Sequence, residues 1–532
     1  MDGGSKFRGG AWVLGLAAVL TTVLVSGGTR DDPVTPPALP GRPPPFLGVA
    51  LVGSGGVTAA IDAYGDVVDL RAPGPAGEAL IENPSDRQAA GSVPADTGIV
   101  PRLATGAGAP MPLWRAQRVR QRYLPATSVL RTTAVLGDAR ITITDAALGQ
   151  VLARTVDVTG PAGEPLRLQM GLSLAGAGRC RSPGSTPSHH SGLRALSWTG
   201  RGRVGADLVC DLGSGAAAPS ARRVIASAAR SGRRWTARAL PLGPAAPTWA
   251  TRMHERSLLV LRTLTDHRTG AFAAGIRDGW AYVWPRDAAA AAIALAAAGY
   301  RAEAARIARF LGRLDVEGAA RFHGDASPVT DGRAIQGDEA GWVRAAARAA
   351  GLPIPTRRLS WRGRGDYGAR GGERGDSLGT AVAAGVSPAR IGALFGTPAG
   401  LVRRAGDPAS GVDSAAAWAV RPFPRPALAA AVQRSLRLLA SGGGRFGIEP
   451  SRDWPGSDPW TAPTAWSAWS LAALGDRPVA LALLGDLRRA DTDAGDLPER
   501  VGDVTGVPRS TTPLGWSHAF ASLALGELYP RR

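Results

Sequence analysis

Two stretches in the second half of the chain gather residue types that suit work on a sugar. Gly279-Trp280-Ala281-Tyr282-Val283-Trp284-Pro285-Arg286-Asp287 opens a long Ala-rich segment. Leu497-Pro498-Glu499-Arg500 precedes Thr512-Pro513-Leu514-Gly515-Trp516-Ser517-His518, where the last apolar segment starts. Aromatic faces can cover the apolar faces of a pyranose ring, and carboxylates and guanidinium groups hydrogen-bond its hydroxyls. Each stretch places such groups where the chain enters or leaves a helix, so that loops on a rigid scaffold would carry them.

The elements that must position these residues change character along the chain. From about 47 to 245 the pattern is short and β-like. Ile141 and Ile143 alternate with Thr142 and Thr144, Val156 and Val158 flank Asp157, and Gly, Pro and Asp separate the runs. That is the alternation of half-covered strands, and many short strands predict a β-sandwich. After Pro241 to Pro247 helical periodicity takes over. Segments lie at 252–265, 286–298, 302–314, 336–350, 427–439, 462–474, 478–489 and 513–528, and several begin on Asp, Ser, Thr or Pro signals and stop at Gly. Weaker ones lie at 377–384, 388–395 and 413–420. The expected architecture is multidomain: a β-sandwich over 47–245, then an all-α domain over 246–532.

The N-terminus reads as an export segment. Lys6 and Arg8 precede an uncharged run from Ala11 to Ser26, and 31–46 is a Pro-rich linker. Residues 1–30 fit a cleaved signal peptide and a retained N-terminal anchor equally, which places the rest outside the cytoplasm, secreted or held at the membrane. The formal charge is +19, but Lys6 is the only lysine. Arg spread evenly, with abundant Ala, Gly and Pro, is what a GC-rich genome writes, so the charge does not point to nucleic acid. The two cysteines, Cys180 and Cys210, suggest one disulfide in an exported protein, with two free buried thiols as the alternative. Their spacing to His189 and His190 does not match a structural zinc site. No metal or cofactor is called for.

Three stretches carry a family resemblance. Tyr282-Val283-Trp284-Pro285-Arg286-Asp287, Ser457-Asp458-Pro459-Trp460, and Leu497-Pro498-Glu499 with Gly506-Val507-Pro508 and Pro513 to His518 resemble glycoside hydrolase family 15, the glucoamylase and glucodextranase-like family. The resemblance spans about 250 to 530. It implies an (α/α)6 barrel behind the sandwich and a carbohydrate substrate. It also implies that Arg286 and Asp287 hold the terminal sugar and that Glu499 is the general base. Trp284, Trp460 and Trp516 would supply stacking surface, as would Trp280, and Asp338 would bind a hydroxyl. Plainer readings stand beside these. Asp287 suits the positive end of a helix, Glu499 suits a surface turn, tryptophans suit a core, and His518 suits a helix cap.

Inverting hydrolysis of a glycoside uses two carboxyl groups, one protonating the leaving oxygen and one activating water on the opposite face, roughly 6.5–9.5 Å apart. The family places the acid as a Glu after a Trp, and here Gly368-Ala369 stand in that place. Glu373, in the Gly-rich stretch that follows, is the substitute. Asp376 is expected to cap the helix before Leu378, and Glu339 to be solvated. Three functions therefore remain open: an inverting hydrolase of α-glucosidic ends, a catalytically inactive sugar-binding protein on the same scaffold, or a structural envelope protein that uses the sandwich for protein contacts.

Overall fold

Branched apolar residues alternating with polar ones make strands in the first half of the chain. Leu130–Leu136 and Ala139–Leu148 each bury every second residue for most of their length, and Ile141, Ile143, Val156 and Val158 are all buried. The computed structural model describes residues 49–83, 97–174, 179–190, 193–213, 219–277, 279–356, 359–366 and 376–531. The apolar leader, the Pro-rich linker and Glu373 lie outside the described residues.

The strands form two antiparallel sheets. The first runs, in spatial order, Val49–Gly53, Thr58–Asp62, Val67–Ala72, Gly98–Thr105, Pro165–Ser173, Leu193–Arg201 and Thr186–His190, with two short strands at its side. The second runs Cys180–Arg181, Arg203–Asp211, Val151–Thr159, Ala139–Leu148, Leu130–Leu136 and Arg118–Tyr123. Ile61, Leu103 and Met170 of the first sheet share one core with Leu130, Ile143 and Leu208 of the second. Burying each such side chain contributes about 1.5–3 kcal/mol. Cys180 stands opposite Cys210 in the sheet register, and a disulfide joins them.

Eleven α-helices follow among the described residues: α1 (Ala221–Thr236), α2 (Thr248–Thr263), α3 (Pro285–Ala297), α4 (Arg301–Arg313), α5 (Glu339–Ala349), α6 (Leu378–Ala383), α7 (Pro388–Phe395), α8 (Ala429–Gly442), α9 (Thr461–Ala473), α10 (Arg477–Ala490) and α11 (Gly515–Leu528). Helix α1 lies inside the stretch whose pattern reads as β. It lays Val224 and Ala229 on the outer face of the second sheet, against Ala153 and Ala146. A small hairpin, Gly400–Arg404 with Asp407–Val412, interrupts the helical series. The expected helix over 413–420 is a 3-10 turn at Ser414–Ala419.

The helices sort into two kinds by burial. In α10 the buried residues are Ala480, Leu483, Leu484, Leu487 and Ala490, a single stripe at helical spacing. In α3, α9 and α11 nearly every residue is buried. Their small residues, such as Ala288 to Ala292, let neighbouring helices approach on every side. Helix α3 packs on α4, α5 and α11, and α11 packs on α9 and α2. Val49, Leu51, Ala60 and Val68 of the first sheet join this helical core, so sheet and helices form one continuous body. Among the described residues no helix is long and apolar enough to cross a membrane.

Candidate active site

The fully buried helices bring their N-terminal ends to the residues singled out by chemistry. Pro285 at the first position of α3, with extended Trp284 before it, starts the helix where the sequence places it. Arg286 and Asp287 are thereby held in its first turn, both buried. Helix α5 opens on Asp338 and Glu339, α9 on Trp460, and α11 on Gly515-Trp516. Gly515 is required by space, since a Cβ there would lie 2.4 Å from the Phe272 ring. The positive ends of α3 and α5 favour the carboxylates gathered beside them.

Arg286 is the centre of the cluster. Its Nη1 lies 2.6 Å from Oδ2 of Asp338, and its Nη2 donates to Oε1 of Gln336 at 2.9 Å. Its guanidinium sits 5.0 Å from the Trp516 ring centre and 6.0 Å from that of Trp418. Burial works against its charge, but Asp338 and Asp287 outweigh that and raise its pKa.

Several carboxyls are crowded around this cation. Burial pushes Asp287 up to about 7; Arg286 opposes the shift, and Glu499 and Asp338 add to it. Burial likewise raises Asp338, again opposed by Arg286. Glu339 goes further. It is 1% exposed, and neither of its oxygens has a hydrogen-bond partner. Burial, with Asp338 next in order, lifts it well above the ordinary carboxylate range. The expectation that Glu339 is solvated is therefore corrected: packing of α5 onto α3 takes it out of water. Its burial favours the protonated form, in a residue that sequence spacing alone did not single out.

Glu499 is buried rather than set on a surface turn. The loop carrying it is pinned on both sides. Its N–H donates to the Thr511 carbonyl at 3.0 Å, and its carbonyl accepts from the Thr461 N–H at 3.0 Å. Thr461 Oγ1 also donates to the Pro498 carbonyl. The next residue, Arg500, bridges to Trp460 and donates to Asp458 at 2.9 Å.

The tryptophans are mostly walls. Trp284, Trp460 and Trp516 are each under 10% exposed. Trp516 stands edge-on to Trp466 at 5.2 Å, and Trp460 edge-on to Trp454 at 5.3 Å. Trp280, 5.4 Å from Trp284, is half-buried, as is Trp454, whose ring carries the Arg403 guanidinium at 4.7 Å and which the sequence reading passed over.

His518 does not cap α11. It is fully buried, its Nε2 accepts the Leu497 N–H at 2.9 Å, and its Nδ1 lies 3.0 Å from Ser257 Oγ. Accepting at Nε2 leaves the ring proton on Nδ1. Burial holds its pKa well below the ordinary value. Asp376 is not the cap of α6 either. Ser377 is, accepting from the Thr380 N–H, while Asp376 accepts from the Gly363 N–H at 2.6 Å.

No family model matches this sequence, and no curated protein does. Solved structures do. A bacterial glucoamylase complexed with acarbose superposes with a TM-score of 0.66 at 14% identity, covering 91% of this chain and 94% of its own. A wild-type glycosidase (TM-score 0.45, 21% identity) covers 52% of this chain and 96% of its own. The glucoamylase of Saccharomycopsis fibuligera (TM-score 0.42, 14% identity) covers 54% and 96%. The first likeness, across both the β and the helical parts, gives this chain the fold of that bacterial glucoamylase.

Proposed function

We propose that this protein is a glycoside hydrolase that cleaves α-glucosidic or related bonds at glycan ends with inversion. Its helical part is read as an (α/α)6 barrel and its β part as a sandwich, which the likeness to the bacterial glucoamylase supports. The observation that carries the reading is the buried cluster at the N-terminal helix ends. Arg286 is paired with Asp338, and Asp287 feels the charge of Glu499.

Arg286 and Asp287 bind hydroxyls of the terminal sugar, and the indoles exclude water. Glu499 takes a proton from water as the water oxygen bonds to the anomeric carbon. A carboxylic acid on the opposite face protonates the glycosidic oxygen as its bond to that carbon breaks. Glu373 is the proposed acid. The export signal and the position outside the cytoplasm, in solution or at the membrane, belong to the same proposal.

A second reading is a sugar-binding protein without turnover. It is favoured by one observation: Gly368-Ala369 stand where the acid is expected, and Ala gives no proton. The test is a panel of α-linked disaccharides, oligosaccharides and dextran-type chains. The protein is taken as wild type and as Glu499→Gln, Glu373→Gln and Asp287→Ala. Turnover lost in both Gln variants supports the hydrolase with Glu373 as acid. Binding without turnover, lost in Asp287→Ala, supports the second reading.

A further inference from the structure

We infer that the β domain helps set the catalytic base: Tyr123, acting through Asp496, positions the loop that carries Glu499. The inference rests on Glu499 being the base.

Tyr123 ends the strand Arg118–Tyr123 of the second sheet. Its hydroxyl accepts the Leu51 N–H of the first sheet at 2.7 Å and stands 2.9 Å from Oδ2 of Asp496, 373 residues away. The hydroxyl has one proton and two acceptors at 2.9 Å, the Leu51 carbonyl and the buried carboxylate, of which the carboxylate is the stronger. Asp496 is fully buried. Arg256 of α2 holds its other side, with Nε 3.4 Å from Oδ1. The same guanidinium lies 3.8 Å from the Tyr123 ring centre and donates to the Thr127 carbonyl at 3.2 Å. One carboxylate is thus fixed jointly by the sheets and by a helix.

The grip passes directly to Glu499. Asp496 closes a turn with Thr492, each backbone N–H meeting an oxygen of the other residue at 3.0 and 3.1 Å. The next residue, Leu497, donates to His518 and accepts from the Leu514 N–H at 2.9 Å. Pro498 follows, its carbonyl held by Thr461, and then Glu499. No freely rotating stretch separates Asp496 from Glu499, so a shift at the carboxylate moves the base. A misplacement of about 1 Å of a reacting group can cost about 10²-fold in rate. Tyr123 is a positioning residue and does not touch substrate.

The test compares wild type with Tyr123→Phe in the full chain. Backbone hydrogen exchange is followed by mass spectrometry, and steady-state rates are measured on the α-linked oligosaccharide that the wild type cleaves. The expected result is faster exchange, by about tenfold or more, at 492–500, beside that of the Leu51 N–H, which loses its acceptor. It is accompanied by a fall in kcat of about 10- to 100-fold with KM held within about twofold. Asp496→Asn keeps the side chain's shape and should do the same, and it decides the matter should Tyr123→Phe not fold. Unchanged exchange at 492–500, or a rise in KM with kcat held, overturns the inference. A wild-type chain with no turnover contradicts the hydrolase reading, and exchange alone then decides whether the sheets hold this loop.

Discussion

Arg286 and Asp338, 52 positions apart in sequence, meet end to end, Nη1 to Oδ2 at 2.6 Å, with both side chains almost wholly out of water. The pair locks the start of α3 to the start of α5. Removing one partner from a buried ion pair leaves the other charged and uncompensated, which costs about 3–5 kcal/mol. Asp338→Ala is expected to lose up to that much stability in urea denaturation, less the part that Asp287 and Gln336 still supply to Arg286, and to weaken sugar binding. Asp338→Asn, which can still accept a hydrogen bond, is expected to lose less. Equal stability of Asp338→Ala and wild type would mean that Arg286 is held by other groups.

Asp287 gives the site a pH dependence of definite sign. Its folded pKa, about 7, lies above its ordinary value of 3.8. Between these values the folded state binds the proton more tightly than the unfolded chain. The stability it gives is therefore full below about pH 4, falls as pH rises, and is gone above about 7. The difference is on the order of 4 kcal/mol. Asp287→Asn should flatten this part of the profile, so its advantage over wild type grows between pH 4 and 7. A difference between the two proteins that does not change over that range contradicts the assignment.

Glu339 should be a neutral acid at pH 7, because burial raises it well above the carboxylate range. Infrared spectroscopy at neutral pH is expected to show a protonated-carboxyl band that Glu339→Gln loses. The wild type should lose stability as pH rises through the raised pKa of Glu339, and the variant should not, because an amide has no proton to lose. A band intensity unchanged by the substitution would place the proton elsewhere.

The starts of α3, α9 and α11 were legible because Trp-Pro-Arg-Asp, Asp-Pro-Trp and Pro-Leu-Gly-Trp each combine a helix-start signal with site chemistry. The alternation at Ile141 and Ile143 was equally readable. Helix α1 was not, because six of its sixteen residues are buried in a stripe of small and apolar groups between arginines, and β-like segments surround it. The burial of Glu339 depends on how α5 packs on α3, which no local pattern encodes. The Tyr123–Asp496 bond joins residues too distant in sequence for spacing to reveal. Asp376 and Ser377 are both good caps, and only backbone geometry chose the serine.

His518 is predicted to act on the loop rather than on sugar. His518→Ala leaves the Leu497 N–H buried without its acceptor, at a cost of about 1–3 kcal/mol. The folded pKa of His518 is depressed, so it stays neutral while the unfolded chain takes a proton below about 6.5. The wild type should lose this stabilisation as pH falls through that value and further down, and His518→Ala should not. Thermal unfolding at pH 5 and pH 8 checks both.

The central claim is that Glu499 activates water on the face opposite the leaving group. The most direct measurement is proton NMR of the first sugar released from an α-glucoside, before the anomers equilibrate, in wild type and in Glu499→Gln. The account predicts β-anomer from the wild type and none from the variant. Release of α-anomer, or turnover undiminished in Glu499→Gln, would contradict it.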